Sequence, residues 1–141
     1  MGNLKRGRGN MTETDYAALA DFRATLRQFL VFSEQEAKKS GLTPQQHQAL
    51  LVIKGNPPGH TTIGFLAERL ILQPHSTSGL VKRLEELDLV CRLESEDQRK
   101  APLSLTDKAE KILATLSSTH LDELRRLGPL LSELVDRFNE K

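Results

Sequence analysis

A chain of 141 residues with 20 Lys or Arg, 19 Asp or Glu and a net charge of +1 is long enough to bury a respectable core as one domain. Near-neutrality excludes a protein that coats nucleic acid by sheer charge, so any such binding must come from where the charges sit. With five Phe, one Tyr and no Trp, the core has to be built from Leu, Ile, Val and Ala, which suits helices packed on helices better than a β-sandwich.

Residues 1–11 place Lys5, Arg6 and Arg8 among Gly2, Gly7 and Gly9 with no apolar period, and they read as a flexible basic tail. No apolar stretch comes after them, so no secretory signal is expected here. The longest apolar runs, such as residues 49–53, are too short to span a bilayer, and a soluble cytoplasmic protein is expected.

From Thr12 the pattern turns helical. Leu19, Phe22, Leu26, Phe29 and Leu30 share one stripe, Val31 and Phe32 widen it, and Gly41 offers a left-handed stop. A second helix is announced by Thr43 as N-cap, Pro44 at the first position and Gln46 as capping-box partner. It runs to about Lys54 through consecutive apolar residues that predict burial nearly all round. The segment 55–59, Gly-Asn-Pro-Pro-Gly, forbids continuation.

A short helix is predicted from about Ile63, with Leu66, Ala67 and Leu70 inward, and residues 71–73 form a turn. Pro74 then opens a helix that buries Thr77, Leu80, Val81, Leu84 and Leu87 at 3.6-residue spacing. After Asp88, residues 89–95 and 101–105 read as two short strands around a polar tip, with Pro102 at the hairpin edge. Thr106 caps a long helix bearing Ile112, Leu113, Leu116, Leu121, Leu124 and Leu127. Gly128-Pro129 is expected to break it before a last helix with Leu130, Leu131, Leu134, Val135 and Phe138.

The expected fold is mainly α with a small β-hairpin wing, in the order α-α-(α-turn-α)-ββ-α-α. Residues 12–141 form a single domain, with a winged helix-turn-helix over about 43–106 and dimerisation helices over about 12–39 and 107–140. The terminal helices carry more apolar surface than one lobe can cover, which predicts a homodimer.

A helix that enters the major groove must be anchored on one face and open on the other. The helix from Pro74 meets both demands, because its outer face shows His75, Ser76, Ser78, Gly79, Lys82 and Arg83. The small residues permit close approach to base edges, and Lys82 and Arg83 lie one to two turns later, where phosphate or guanine is in reach. An ordinary amphipathic surface helix has the same pattern, and the adjoining hairpin distinguishes the two. Asp97 and Arg99 are two apart at the hairpin tip, a spacing that lets a carboxylate steady a guanidinium, and an arginine held there suits a narrow minor groove. Between positions 61 and 100 there are six Lys or Arg against seven Asp or Glu, so placement and not excess must do the work.

The run Leu66-Ala67-Glu68-Arg69-Leu70, and then Thr77-Ser78-Gly79-Leu80-Val81-Lys82-Arg83-Leu84-Glu85-Glu86-Leu87-Asp88-Leu89-Val90, resembles the helix-turn-helix of the MarR family. Glu96-Asp97-Gln98-Arg99-Lys100 and Leu103-Ser104-Leu105-Thr106 are similar to that family's wing and its exit. The chain departs from the pattern at Asp88, where Gly is common, at Pro102 and at Ala109. The resemblance implies an intertwined homodimer presenting two recognition helices to double-stranded DNA at a pseudopalindromic operator. It makes Ser76, Ser78, Gly79, Lys82 and Arg83 groove-facing and Asp97, Arg99 and Lys100 wing contacts; His75, on the same outer face, reads as a groove-edge residue. The resemblance further implies a sequence-specific repressor released by a small, often aromatic, effector. Phe29, His47 and Leu51 are candidate lining residues from their helix faces, against a plain role in core packing.

The alternative is a winged-helix module that binds protein without specific DNA binding. No nucleophile elbow, phosphate loop or metal-ligand pair is present, so no enzyme, cofactor or metal site is expected. His47, His60, His75 and His120 lack ligand spacing. The single cysteine, Cys91, excludes an internal disulfide. It lies beside Arg92, which favours a thiolate, but the family's peroxide sensors resemble one another in a cysteine on the first helix, where this chain has none; a small buried hydrophobe is expected.

Overall fold

A computed structural model describes residues 9–139; most of the expected basic tail lies outside the described residues. The chain divides into two compact units, residues 32–121 and, of the described residues, 9–31 with 122–139. The order is α1 (Glu13–Lys39), α2 (Pro44–Gly55), α3 (Ile63–Leu70), α4 (Pro74–Glu86), β1 (Val90–Arg92), a 3-10 turn (Gln98–Lys100), β2 (Leu103–Leu105) and α5 (Asp107–Asn139).

Local chemistry sets most of these boundaries. At the start of α1, Thr12 and Asp15 cap each other: the Asp15 N–H donates to Thr12 Oγ1 at 3.2 Å and the Thr12 N–H to the Asp15 carboxylate at 3.0 Å. The helix ends where Gly41 turns to φ +79° and the Leu42 N–H reaches back to the Ala37 carbonyl at 2.9 Å. Thr43 and Gln46 form the reciprocal capping box of α2 at 3.0 and 3.2 Å. Thr62 caps α3 by accepting from the Phe65 N–H at 3.2 Å. Before α4, Gln73 contributes no side-chain cap, and Pro74 at the first helical position has no N–H, which removes one of the helix's unpaired donors.

The core of the 32–121 unit joins Leu50, Leu66, Val81, Leu84, Leu89, Val90, Leu103, Leu113 and Leu116. At about 1.5–3 kcal/mol for each large apolar side chain removed from water, this cluster holds α2, α3, α4 and the hairpin in place. The buried face of α2 is not apolar all round as expected. Gln46 and His47 are buried with Ala49, Leu50 and Ile53, and Leu51 faces out at 49 % exposure.

The hairpin is antiparallel in the register Val90–Leu105, Cys91–Ser104 and Arg92–Leu103, extended one step by the Leu93 N–H to the Pro102 carbonyl at 2.8 Å. It is shorter than expected because Pro102 has no N–H to carry the ladder further. The tip instead coils into the 3-10 turn, with Lys100 N–H donating to Asp97 at 3.0 Å and Ala101 N–H to Gln98 at 3.3 Å. Thr106 closes the lobe. Its hydroxyl donates to the Asp88 carbonyl at 2.8 Å and accepts from the Ala109 N–H at 3.2 Å, capping α5.

The expected break at Gly128-Pro129 is absent, and α5 runs unbroken through Pro129. Leu127 and Leu134, seven residues apart, are both buried on either side of it. Burial of two leucines on one stripe offsets the roughly 3 kcal/mol that an internal proline costs. In this smaller unit Ala18, Thr25, Leu127 and Leu134 are buried, whereas Leu19, Leu26, Leu30, Leu124, Leu130 and Val135 remain exposed.

Candidate nucleic-acid interface

The structure gives α4 two contrasting faces. Thr77, Val81 and Leu84 are buried, and the Thr77 hydroxyl is satisfied internally by the Gln73 carbonyl at 3.0 Å. His75, Ser76, Ser78, Gly79, Lys82 and Arg83 are all exposed. A Cβ added at Gly79 would meet nothing within 4 Å, so neither packing within the chain nor backbone conformation demands glycine there. Lys82 has no partner among the described residues. Among the described residues Arg83 meets only Glu86, at 3.3 Å, both well exposed, a contact weak enough for the guanidinium to leave.

Two positions bracket this helix in the left-handed region. Ile71, in the turn before α4, has φ +55° and a side chain 91 % exposed. Asp88, just after α4, has φ +58°, which accounts for glycine being common there in the family it resembles.

The wing residues lie in or beside the 3-10 turn. Asp97 and Lys100 are exposed. The backbone of Arg99 occupies the middle of the turn, and its side chain lies outside the described residues. Ala101 is buried, so the exit of the turn is rooted in the core.

Arg92 is the residue of this region that sequence reasoning missed. Its Nε donates to Glu85 Oε1 at 3.0 Å and its guanidinium reaches the Gln98 carbonyl at 3.5 Å. It thus touches the last turn of α4 and the first residue of the 3-10 turn. The available signal was an arginine inside a short strand with a glutamate at the end of the preceding helix.

The residues expected to line an effector site fall on two helices, Phe29 on α1 and His47 and Leu51 on α2. Phe29, on α1, is half-buried, and Leu51 lines a shallow depression with Val52, Phe65 and Arg69. His47 lies against His120, with ring centroids 4.9 Å apart, and His120 also meets the Phe32 ring edge-on at 5.4 Å. Nδ1 of His120 is 2.6 Å from the Leu116 carbonyl, which only accepts, so this nitrogen carries a proton; Nε2 lies 2.8 Å from the Ser33 hydroxyl. Burial first, and the neighbouring His120 charge second, hold the His47 pKa below its ordinary value. Histidines distant in sequence therefore do meet. Among the described residues, however, no three His, Cys, Asp or Glu side chains gather as a metal site would require. Cys91 is exposed on β1, not buried as expected, because its side chain falls on the outer face of a strand flanked by the buried Val90. No helix among the described residues is long and apolar enough to cross a membrane.

Comparison with known proteins bears on what this geometry does. A model of the MarR family matches residues 40–101. The HTH-type transcriptional regulator MgrA of Staphylococcus aureus is 32 % identical over 120 residues, covering 77 % of this chain and 80 % of MgrA. Among solved structures, a mutant of MepR from S. aureus bound to an oligodeoxyribonucleotide superposes with a TM-score of 0.64 at 23 % identity, over 93 % of this chain and 90 % of that one. S. aureus MarR in complex with salicylate and kanamycin gives 0.71 at 20 % identity, over 90 % and 89 %.

Proposed function

Because this chain belongs to the MarR family and is a DNA-binding transcriptional regulator, we propose that it reads its operator through the outward face of α4. Ser76, Ser78 and Gly79 approach the base edges, Lys82 and Arg83 reach guanine or phosphate, and His75 stands at the groove edge. Asp97, Arg99 and Lys100 serve the adjacent minor groove. The observation that carries this reading is the exposed, small-residue surface of a helix whose opposite face is locked in the core. The relatives are named as regulators, which favours this reading over a protein-binding module.

The protein acts as a homodimer in the cytoplasm. Support comes from Leu19, Leu26 and Leu30 on α1 and Leu124, Leu130 and Val135 on α5, which one chain leaves in water. Two copies would set two recognition helices about one DNA turn apart, matching a pseudopalindromic site. It works as a repressor released by a small aromatic effector, with Phe29, His47 and Leu51 as the residues to vary; the salicylate complex of S. aureus MarR supports that class of ligand.

Fluorescence anisotropy with duplexes from the region upstream of its own gene, against a scrambled duplex, tests the reading. Preference for one duplex and a steep fall in affinity with salt are expected. Equal binding to both at low salt would overturn it. Light scattering reports the dimer, and thermal-shift screening with aromatic acids reports the effector through stabilisation.

A further inference from the structure

The geometry points to Arg92 as a positioning residue that fixes the wing tip against α4, so that operator affinity depends on it although it need not touch DNA. This rests on the reading of α4 and the wing as the DNA-facing elements. The hairpin offers little support of its own, because each strand has only three residues and Pro102 cannot donate to extend the ladder. The tip is therefore held by what lies beyond the ladder.

Arg92 is placed to do that. It leaves β1 where the regular pairing ends, its side chain is 26 % exposed, and its Nε–H bonds Glu85 on the last turn of α4 at 3.0 Å. The same guanidinium reaches the Gln98 carbonyl at 3.5 Å, at the entry to the turn that carries Arg99 and Lys100. One planar, permanently charged group thus ties the end of the groove-facing helix to the start of the wing tip. The Ala101 side chain roots the exit of the turn independently, so loss of Arg92 frees the entry, and with it the Asp97 and Gln98 carbonyls that accept from the Lys100 and Ala101 amides. The fold, whose core residues Val81, Leu84 and Leu103 are packed elsewhere, stays intact.

The test pairs an Arg92→Gln variant with Arg99→Ala. Native-state hydrogen exchange is read first, without DNA. The amides of Lys100 and Ala101, which donate to Asp97 and Gln98, should exchange about tenfold faster or more in Arg92→Gln, while the amides of Val81 and Leu84 keep their protection. Unchanged exchange at Lys100 and Ala101 would overturn the inference whatever DNA does. Operator binding is read second. Each single variant should bind about tenfold more weakly than the parent, and the double variant no more than about twofold below the weaker single, because both act through the same wing. Losses that multiply would assign Arg92 a direct or global role and overturn the inference. Should Arg92→Gln fail to fold, Glu85→Gln is the substitute, expected to show the same exchange pattern at smaller amplitude; no change at the tip would count against it equally. If the parent chain shows no duplex preference while the exchange pattern is as expected, the tie to the wing stands and it is the DNA reading that fails.

Discussion

Replacing Gly79 with alanine should move stability and DNA affinity in opposite directions. Gly79 lies inside the 13-residue helix α4 with none of the positive φ that would require glycine. Glycine in a helix interior costs roughly 0.5–1 kcal/mol relative to alanine, and the added Cβ has nothing within 4 Å to strike, so that whole amount returns as stability. With an unfolding entropy of about 2.1 cal/mol/K per residue, a chain of this length gains about 2–3 °C in Tm. The same methyl group projects from the surface proposed to lie against base edges. There, filling a close-packed contact costs about 1–3 kcal/mol, so operator binding should weaken by roughly fivefold or more. Thermal melts at one fixed protein concentration, which removes the mass-action effect of dimerisation, give the first value, and anisotropy titration gives the second. A variant that melts higher and binds as tightly as the parent would show that nothing approaches α4 at Gly79. One that melts lower would refute the helical environment assigned to it.

Ile71→Gly should also stabilise the fold, by about 0.5–1 kcal/mol. It relieves the roughly 1–2 kcal/mol cost of a left-handed L-residue less the extra entropy of glycine, and a side chain already 91 % exposed has little packing to lose; a lower urea midpoint would contradict this. Pro129→Ala should restore a helix hydrogen bond and raise the Tm by several degrees, whereas a fall would argue against an unbroken α5. For His47, the lowered native pKa means that the unfolded chain takes up a proton which the folded chain resists as pH drops below about 6.5. Stability is therefore full above that pH and declines beneath it until the native pKa is passed. Urea melts at pH 7.5 and 5.5 should show a smaller difference for His47→Phe than for the parent, and an identical difference would remove His47 as the source.

The elements that local chemistry dictates were legible in the sequence. The Thr43-Pro44-Gln46 start of α2 and the 3.6-residue stripe of Thr77, Val81 and Leu84 both read directly, and the outward face of α4 is the complement of that stripe. What was not legible depends on partners distant in the chain. Gly128-Pro129 carries a strong local stop signal, yet the buried leucines around it keep the helix whole. Gln46 and His47 are buried although they precede the apolar run of α2, Gln46 through its capping box with Thr43 and His47 against the ring of His120, while Leu51 within that run faces out. The sequence of the wing suggests two longer strands because alternation persists past the point where Pro102 ends the ladder. Arg92 looked like a neighbour of Cys91 until the fold brought Glu85 and Gln98 to it.

The central claim is that the solvent face of α4 reads DNA, and the most direct measurement compares the salt dependence of operator binding for the parent chain and a Lys82→Ala/Arg83→Ala variant. The account predicts that the variant loses about tenfold or more in preference for the operator over a scrambled duplex, with a log–log salt slope shallower by about 1 for each phosphate contact removed. An unchanged affinity, preference and slope would contradict it and move the DNA-binding surface elsewhere on the molecule.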